Sequence, residues 1–489
     1  MYRFFEILPG LTVWLVLITL VILSYLTPLT VAIFIVLYDL FWLLRTLYLL
    51  LHLRFSFLKL RANLKIDWLT KLQSSNLAWS NIHHLIIFPM YQESYDLVRE
   101  SFLSLVKANY PKDKLFVVLA TEERGFKEDA RVALKIEEEF KKEFGGFLVT
   151  KHPQNLPGEL PGKGSNETWA AKEAIRTIIE PKNLNFQNVL VSVFDIDTRP
   201  GGDYFAILTY QFFSSEKGNR SSFQPVPLFI NNIHDVSPFA RLIAFTSTFW
   251  QFMQQARPEQ LITFSSHSMP LQALHEVGFW NVNIVSEDSR IFFQCFLHYK
   301  GDWRSVPLYY PIYMDAVSGG SFMKAMQNLY KQQRRWAWGV ENIAYVFSNF
   351  LNNKMISFRR KILWVFVLFE GSFSWAASSF IIFLFGFLPV LLGGAEFNRS
   401  VFSYNLPRVT GFLMNFSVIG IIVSAWLSIL ILLPRLKGFS IKFYFIYFLQ
   451  WLLTPATILL FGSLPALEAE TRLMLGGRFR LGFWKTPKK

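Results

Sequence analysis

From Ile7 to Tyr38 the chain carries no charged side chain, a run of 32 residues. At about 1.5 Å rise per residue, roughly 20 helical residues span a bilayer core, so this run is long enough to cross one. Pro28 sits inside it, and the apolar pattern continues past Asp39 to about Leu53. The pattern predicts two helices, near 8–27 and 29–52, joined by a tight turn. No short apolar region here ends in an A-x-A-like site, so an anchor is expected rather than a cleaved signal. Further charge-free runs cover Gly371–Ala395, Val409–Pro434 and Phe443–Leu467, and each could cross a membrane. Composition agrees: 52% of residues are hydrophobic and 17% charged, against roughly 25% charged in an ordinary soluble domain. This is the sequence of an integral membrane protein. The lone cysteine, Cys295, excludes a disulfide scaffold.

Residues 80–320 read as a water-soluble domain between these ends. Short apolar runs at His84–Pro89, Lys114–Ala120, Phe147–Thr150 and Asn188–Phe194 predict strands. Helical periodicity at 94–108, 127–144 and 166–180 separates them. Strands alternating with helices imply α/β winding around a mostly parallel sheet. The expected divisions are a transmembrane helix pair at 1–55, the α/β domain at 80–320 and amphipathic interface helices at 321–360. Transmembrane segments at 361–467 and a basic tail at 468–489 follow. No internal repeat is apparent.

Ligands bind beyond the carboxyl ends of such strands. The fourth strand runs into Asp195-Ile-Asp197, two carboxylates able to share a hard divalent cation and the phosphates it holds. A solvated turn would also show such a pair, but its place after Val-Ser-Val-Phe favours a site. The first strand ends in Pro89-Met-Tyr91-Gln-Glu93 and the second in Thr121-Glu122-Glu123. Acidic and aromatic groups at neighbouring strand ends suit a base and a ribose, although turn acids would look the same. Glu287-Asp288 opens a helix, where a carboxylate can simply cap and complement the dipole. Gln332, Arg335 and Trp336 share one helix face just before the membrane. That face could offer a donor, a diphosphate partner and a flat surface for a sugar, or merely meet lipid headgroups.

In this order the motifs are more specific than any one alone. The sequence resembles the membrane-integrated family 2 glycosyltransferases with a GT-A catalytic domain, the group containing cellulose, chitin and hyaluronan synthases. Pro89-x-Tyr91-x-Glu93, Asp195-x-Asp197, Glu287-Asp288 and Gln332-x-x-Arg335-Trp336 carry the resemblance, over about residues 80–340. It implies inverting transfer from a nucleotide-sugar donor, a UDP- or GDP-sugar, to a growing polysaccharide or glycan, with no covalent intermediate. By the same resemblance Asp195 contacts the nucleotide and Asp197, with Asp195, holds Mg²⁺ or Mn²⁺. Pro89, Tyr91, Glu93 and Glu122 line the nucleoside, and Lys163 is a basic group near the donor. Asp288 is the general base; Glu287, Gln332 and Arg335 secure acceptor and diphosphate, and Trp336 stacks the acceptor sugar. A weaker match, Phe483-Trp-Lys-Thr486-Pro-Lys488, resembles the element that covers the donor site in cellulose-synthase-like members; a basic tail held at headgroups is the alternative.

Other readings stay in view. A non-processive transferase adding one sugar to a polyprenyl phosphate or other lipid shares the Asp-x-Asp but usually lacks Gln-x-x-Arg-Trp. A non-catalytic scaffold would not need every carboxylate, and all are present. The net charge of +14 is dispersed or close to membrane ends, which argues against nucleic acid. His83-His84 and His267 lack zinc spacing and read as structural, and Cys295 as a core residue. Asp39 and Arg45, inside an apolar segment, either line a path or lie near its rim.

Topology raises a conflict. Basic residues after the second helix and before the third fit a cytoplasmic catalytic domain in the cell membrane. Three plain crossings would then leave the basic C-terminal segment outside. One stretch must yield: 443–467, bent at Pro455 and Pro465 into a re-entrant hairpin, or 362–395, which contains Glu370. The bend near Pro455 and a cytoplasmic C-terminus are expected.

Overall fold

The computed structural model describes residues 1–431, 441–482 and 484. Its centre is an eight-stranded sheet: β1 (His83–Pro89), β2 (Leu115–Glu122), β3 (Gly146–His152), β4 (Val189–Val193), β5 (Arg199–Pro200), β6 (Ser221–Leu228), β7 (His267–Pro270) and β8 (Arg304–Tyr313). The order is β3-β2-β1-β4-β7-β6-β8-β5. β3, β2, β1 and β4 are mutually parallel, and β7 runs antiparallel to both β4 and β6. The first four strands fall where the sequence predicts them. Their unbroken apolar runs follow from burial on both faces. In β1, Ile86 and Phe88 enter one core while Leu85 and Ile87 enter the other. Burying each such side chain stabilises the fold by about 1.5–3 kcal/mol. This is the expected α/β winding around a mostly parallel sheet.

Among the described residues, five helical stretches are long and apolar enough to cross a membrane: Tyr2–Leu26, Pro28–Asn63, Phe358–Phe383, Val401–Leu430 and Phe443–Leu475. The second outlasts its apolar run because its last turns dock on the α/β domain. Ser56 donates to the Phe252 carbonyl (2.6 Å), and Asn63 to that of Leu308 (3.1 Å). The third starts earlier than its charge-free run, at Phe358, and ends at Phe383. Glu370 is tolerated inside it because Arg45 of the second helix pairs with it. Arg45 also lies 4.9 Å over the Trp42 ring. Among the described residues, buried Asp39 has no such partner, and neither carboxylate oxygen takes a hydrogen bond.

The last stretch is not a uniform α-helix. A 3₁₀ turn at Gln450–Leu453 precedes Pro455, and a π-turn at Leu459–Ser463 precedes Pro465. At its start Tyr447 stacks on the Arg241 guanidinium (4.0 Å), and Trp451 lies parallel to Phe245 and Phe249 of the α/β domain. At its end the Leu473 carbonyl accepts from Arg3 (2.8 Å), where the first helix begins. Phe5, one turn on, packs against Phe347 of the interface helix Glu341–Asn352. The start of this stretch thus packs on the α/β domain and its end on the first helix.

Candidate active site

At the end of β1 the chain turns sharply. Gln92 adopts a left-handed φ of 53°, and its N–H is taken by both Asp129 carboxylate oxygens (2.9 and 3.0 Å). This turn sets Tyr91 beside the end of β2. There Arg124 donates to Glu122 through Nε (2.5 Å) and Nη2 (2.9 Å), and its guanidinium lies 4.1 Å over the Tyr91 ring. Tyr91, Arg124 and Glu122 thus form one stack across two strand ends. Glu93 is buried, at the edge of a cavity of about 580 Å³ shared with Tyr95, Glu128, Arg131 and Lys135. Pro89 closes β1, with its Cα paired in register with Ala120.

β4 carries the acidic pair. Phe194 still donates its N–H to the Ile87 carbonyl (3.0 Å), after which the chain leaves the sheet into Asp195 and Asp197. The Asp195 carboxylate accepts from Lys163 Nζ at 2.8 Å and from the Ser265 hydroxyl at 2.8 Å. Lys163 begins the helix Lys163–Ala174, anchored to the sheet by Asn166 Nδ2 on the Ala120 carbonyl (2.7 Å). Its ammonium also lies 3.5 Å from Glu167 and 4.0 Å from Glu287. Burial opposes this charge, but Asp195, then Glu167 and Glu287, hold the Lys163 pKa well above its ordinary value. One cation cannot neutralise three carboxylates, two of them fully buried. Burial accordingly raises Glu167 well above the carboxylate range and Glu287 to about 8, with the Asp288 charge adding to the latter.

Ser265 ties the site together. Its φ of 47° is left-handed, and in that conformation it donates its hydroxyl to Asp195 and its N–H to Asp288 Oδ2 (2.9 Å). Asp288 Oδ1 accepts the Ser289 N–H (2.8 Å), and the Asp288 carbonyl accepts the Thr263 hydroxyl (2.5 Å). The base candidate is therefore clamped at the start of the helix Glu287–His298. His267 lies beneath, its Nδ1 3.2 Å from the Ser265 carbonyl. Burial, then the Lys163 charge, lowers its pKa to about 4, so it is a neutral imidazole at pH 7. It stands in the electrostatic field of Lys163, Asp288 and Asp195.

Asp197 is buried, and its Oδ2 accepts the N–H of Asp315 (2.9 Å) from the segment after β8. Asp315 in turn lines a narrow cleft with Phe229, Gln332 and Trp336. Gln332 and Trp336 come from the helix Phe322–Ala337, with Ser321 as N-cap. The Trp336 ring sits 6.1 Å from that of Phe229 and edge-on to Phe264 at 5.8 Å. Arg335, on the same helix, is close enough that its charge opposes the rise in the Glu287 pKa. The structure thus gathers Lys163, Asp195, Asp197, Glu287, Asp288, Gln332, Arg335 and Trp336 around one centre. Tyr91 and Glu122 stand at the adjoining strand ends. Sequence reading missed Ser265, Arg124 and Asp315, which no spacing pattern marks, and also Glu167. Glu167, four residues after Lys163 on a helix, was the one with a readable signal.

As a metal site, Asp195 and Asp197 offer hard oxygen ligands one residue apart. Among the described residues no group of three or more His, Cys, Asp or Glu converges to cage an ion. Two carboxylates fit Mg²⁺ or Mn²⁺ as a partial shell, to be completed by substrate phosphates and water. Of the terminal match, Trp484 lies 5.5 Å from Lys331 Nζ, next to Gln332; Phe483 and residues 485–489, with Thr486 and Lys488, lie outside the described residues.

Residues 190–462 match the glycosyl transferase family group 2. The match covers more than half of the chain, and the chain belongs to that family; it is a glycosyltransferase. No curated protein matches the sequence. Among solved structures, the chain is similar to the mannosyltransferase PcManGT of Pyrobaculum calidifontis in complex with GDP-Man and Mn²⁺. Identity is 12%, coverage 79% of this chain and 98% of that one, and the TM-score 0.42. It is also similar to residues 1–349 of S. aureus TarS in complex with UDP-GlcNAc, at 14% identity, 69% and 89% coverage, and TM-score 0.38.

Proposed function

We propose that this chain is an inverting, metal-assisted hexosyltransferase of the cellulose, chitin and hyaluronan synthase type. It moves a sugar from a nucleoside-diphosphate donor to a hydroxyl of a growing glycan at the cell membrane. The observation that supports this best is Ser265, which holds Asp195 and Asp288 on one residue. A nucleotide contact and a proton acceptor are thereby fixed relative to each other, as in-line displacement needs.

In this reading the donor base and ribose lie over Tyr91, Glu93 and Glu122, with Pro89 ending the strand beneath them. Asp195 and Asp197 would hold Mg²⁺ or Mn²⁺, which supplies positive charge for the diphosphate leaving group when bound. Lys163, now on Asp195, is within reach of the same phosphates. Gln332 and Arg335 orient the diphosphate and the acceptor end, and Glu287 supports Asp288. Asp288 accepts the proton of the acceptor hydroxyl as its oxygen attacks the anomeric carbon from the side opposite the leaving group. Trp336 carries the terminal sugar of the acceptor on its face. The catalytic domain and residues 473–480 lie on the cytoplasmic side, where nucleotide sugars are made.

Purified protein with radiolabelled UDP-glucose, UDP-GlcNAc and GDP-mannose, with and without EDTA, tests this. Long products from one donor, lost on chelation, are expected. Products confined to single-sugar lipid adducts would overturn the polymer reading, and no transfer from any nucleotide sugar would overturn the whole.

A further inference from the structure

The Phe322–Ala337 helix has a second functional face. Tyr330 and Arg334 are one turn apart, whereas Gln332, Arg335 and Trp336 project from roughly the opposite side, given about 100° per residue. The back face meets one carboxylate. Glu468 Oε2 accepts the Tyr330 hydroxyl at 2.8 Å, and Oε1 accepts Arg334 Nη1 at 2.5 Å and Arg472 Nε at 2.7 Å. The contact is partly sheltered, with the Arg334 and Glu468 side chains 21% and 27% exposed.

Glu468 itself stands on a fixed base. Its helix, Leu464–Leu475, approaches the first membrane helix so closely that a Cβ on Gly10 would lie 2.7 Å from the Glu470 carbonyl oxygen. Its end is tied by Arg3 to the Leu473 carbonyl. A carboxylate gripping positions i and i+4 resists both rotation and sliding of the helix it holds. Without it, the Arg334 and Arg472 guanidiniums would face each other with no anion between them.

We infer that Glu468 is a positioning residue for sugar transfer. It fixes the rotation and height of the Gln332–Arg335–Trp336 face relative to Asp197 and Asp288, and so couples the membrane helices to the acceptor side of the site. The inference rests on the proposed role of that face. Charge and geometry make it separable from a fold-stabilising role, because nothing on the nucleotide side touches Glu468.

The test uses full-length protein in nanodiscs with whichever of UDP-glucose, UDP-GlcNAc or GDP-mannose proves to be the donor. Nucleoside diphosphate release and nucleotide affinity are both measured. Glu468→Ala should lower kcat about 10- to 100-fold, the effect of a displacement near 1 Å at a reacting centre. The nucleotide Kd should shift by less than the tenfold that about 1.4 kcal/mol represents, because Lys163 and Asp195 share the diphosphate with Gln332 and Arg335 and stay in place. Glu468→Gln, which still accepts from Tyr330, should lose less. Arg334→Ala and the double variant should match Glu468→Ala rather than add to it. If Glu468→Ala fails to fold, Glu468→Gln and Tyr330→Phe decide the matter by the same kcat-against-Kd split. Unchanged kcat in the folded variants, or a loss lying in nucleotide affinity, would overturn the inference. Trp336→Ala is run in parallel: if it leaves turnover intact, the acceptor-face reading has failed, independently of Glu468.

Discussion

Replacing Asp288 by Asn removes the proton acceptor with almost no change in shape, yet the structure shows that the change is not silent. Both carboxylate oxygens accept backbone N–H groups, Oδ2 from Ser265 and Oδ1 from Ser289. An Asn amide must turn its NH₂ toward one of these donors. One charge-assisted hydrogen bond is lost, at a cost of about 1.5–3 kcal/mol in stability. The chemical cost is larger. A positioned general base contributes about 10²- to 10⁴-fold, or roughly 3–5 kcal/mol at about 1.4 kcal/mol per factor of ten. Asp288→Asn should therefore lose at least two decades of kcat. Nucleotide affinity should hold, since Asp195, Lys163 and the Tyr91 stack are untouched. The assay pairs nucleoside diphosphate release with calorimetric nucleotide binding on the same purified sample, and a melting curve confirms folding. A folded variant that keeps kcat within tenfold of wild type would refute the assignment of Asp288 as base.

Lys163→Met leaves Asp195, Glu167 and Glu287 without their shared cation, a loss of about 3–5 kcal/mol for a buried partner. Melting should fall clearly, with partial recovery in Lys163→Met/Glu167→Gln, and an unchanged melting temperature would contradict the cluster described. Glu287 makes stability pH-dependent: folded, it keeps its proton to about pH 8, whereas an unfolded carboxyl releases it near 4.5. Its contribution is thus complete below the unfolded value and lost as pH rises toward 8, and Glu287→Gln should flatten that alkaline fall in a melting-against-pH series. Asp197→Ala should abolish metal-dependent donor binding, read as loss of the Mn²⁺ effect on nucleotide affinity. For topology, Arg478→Cys in a Cys295→Ala background should resist impermeant maleimide on intact cells and react in inverted vesicles; labelling from outside would place residues 473–480 on the other side.

The charge-free runs by themselves marked the helices that are long and apolar enough to cross a membrane, because only a helix of that length keeps so many apolar side chains and its own backbone satisfied in lipid. The four parallel strands were equally legible, since burial on both faces leaves unbroken apolar runs. β6 and β8 were not: Pro225, Pro227, Pro307 and Pro311 argue against strands in sequence. The sheet accommodates them by a register shift between Gln224 and Val226. The acids at strand ends could be named from order alone, but their states could not. Whether Glu287 keeps a proton depends on how many carboxylates share Lys163, and that is a matter of distances across three separate chain segments. Ser265 and Glu468 were invisible for the same reason, since each acts on residues 23 or more positions away. The interruptions of the last helical stretch lay between these extremes. Pro455 and Pro465 marked where regular α-helix gives way, and the contacts of its ends with Arg241 and Arg3 come from tertiary packing alone.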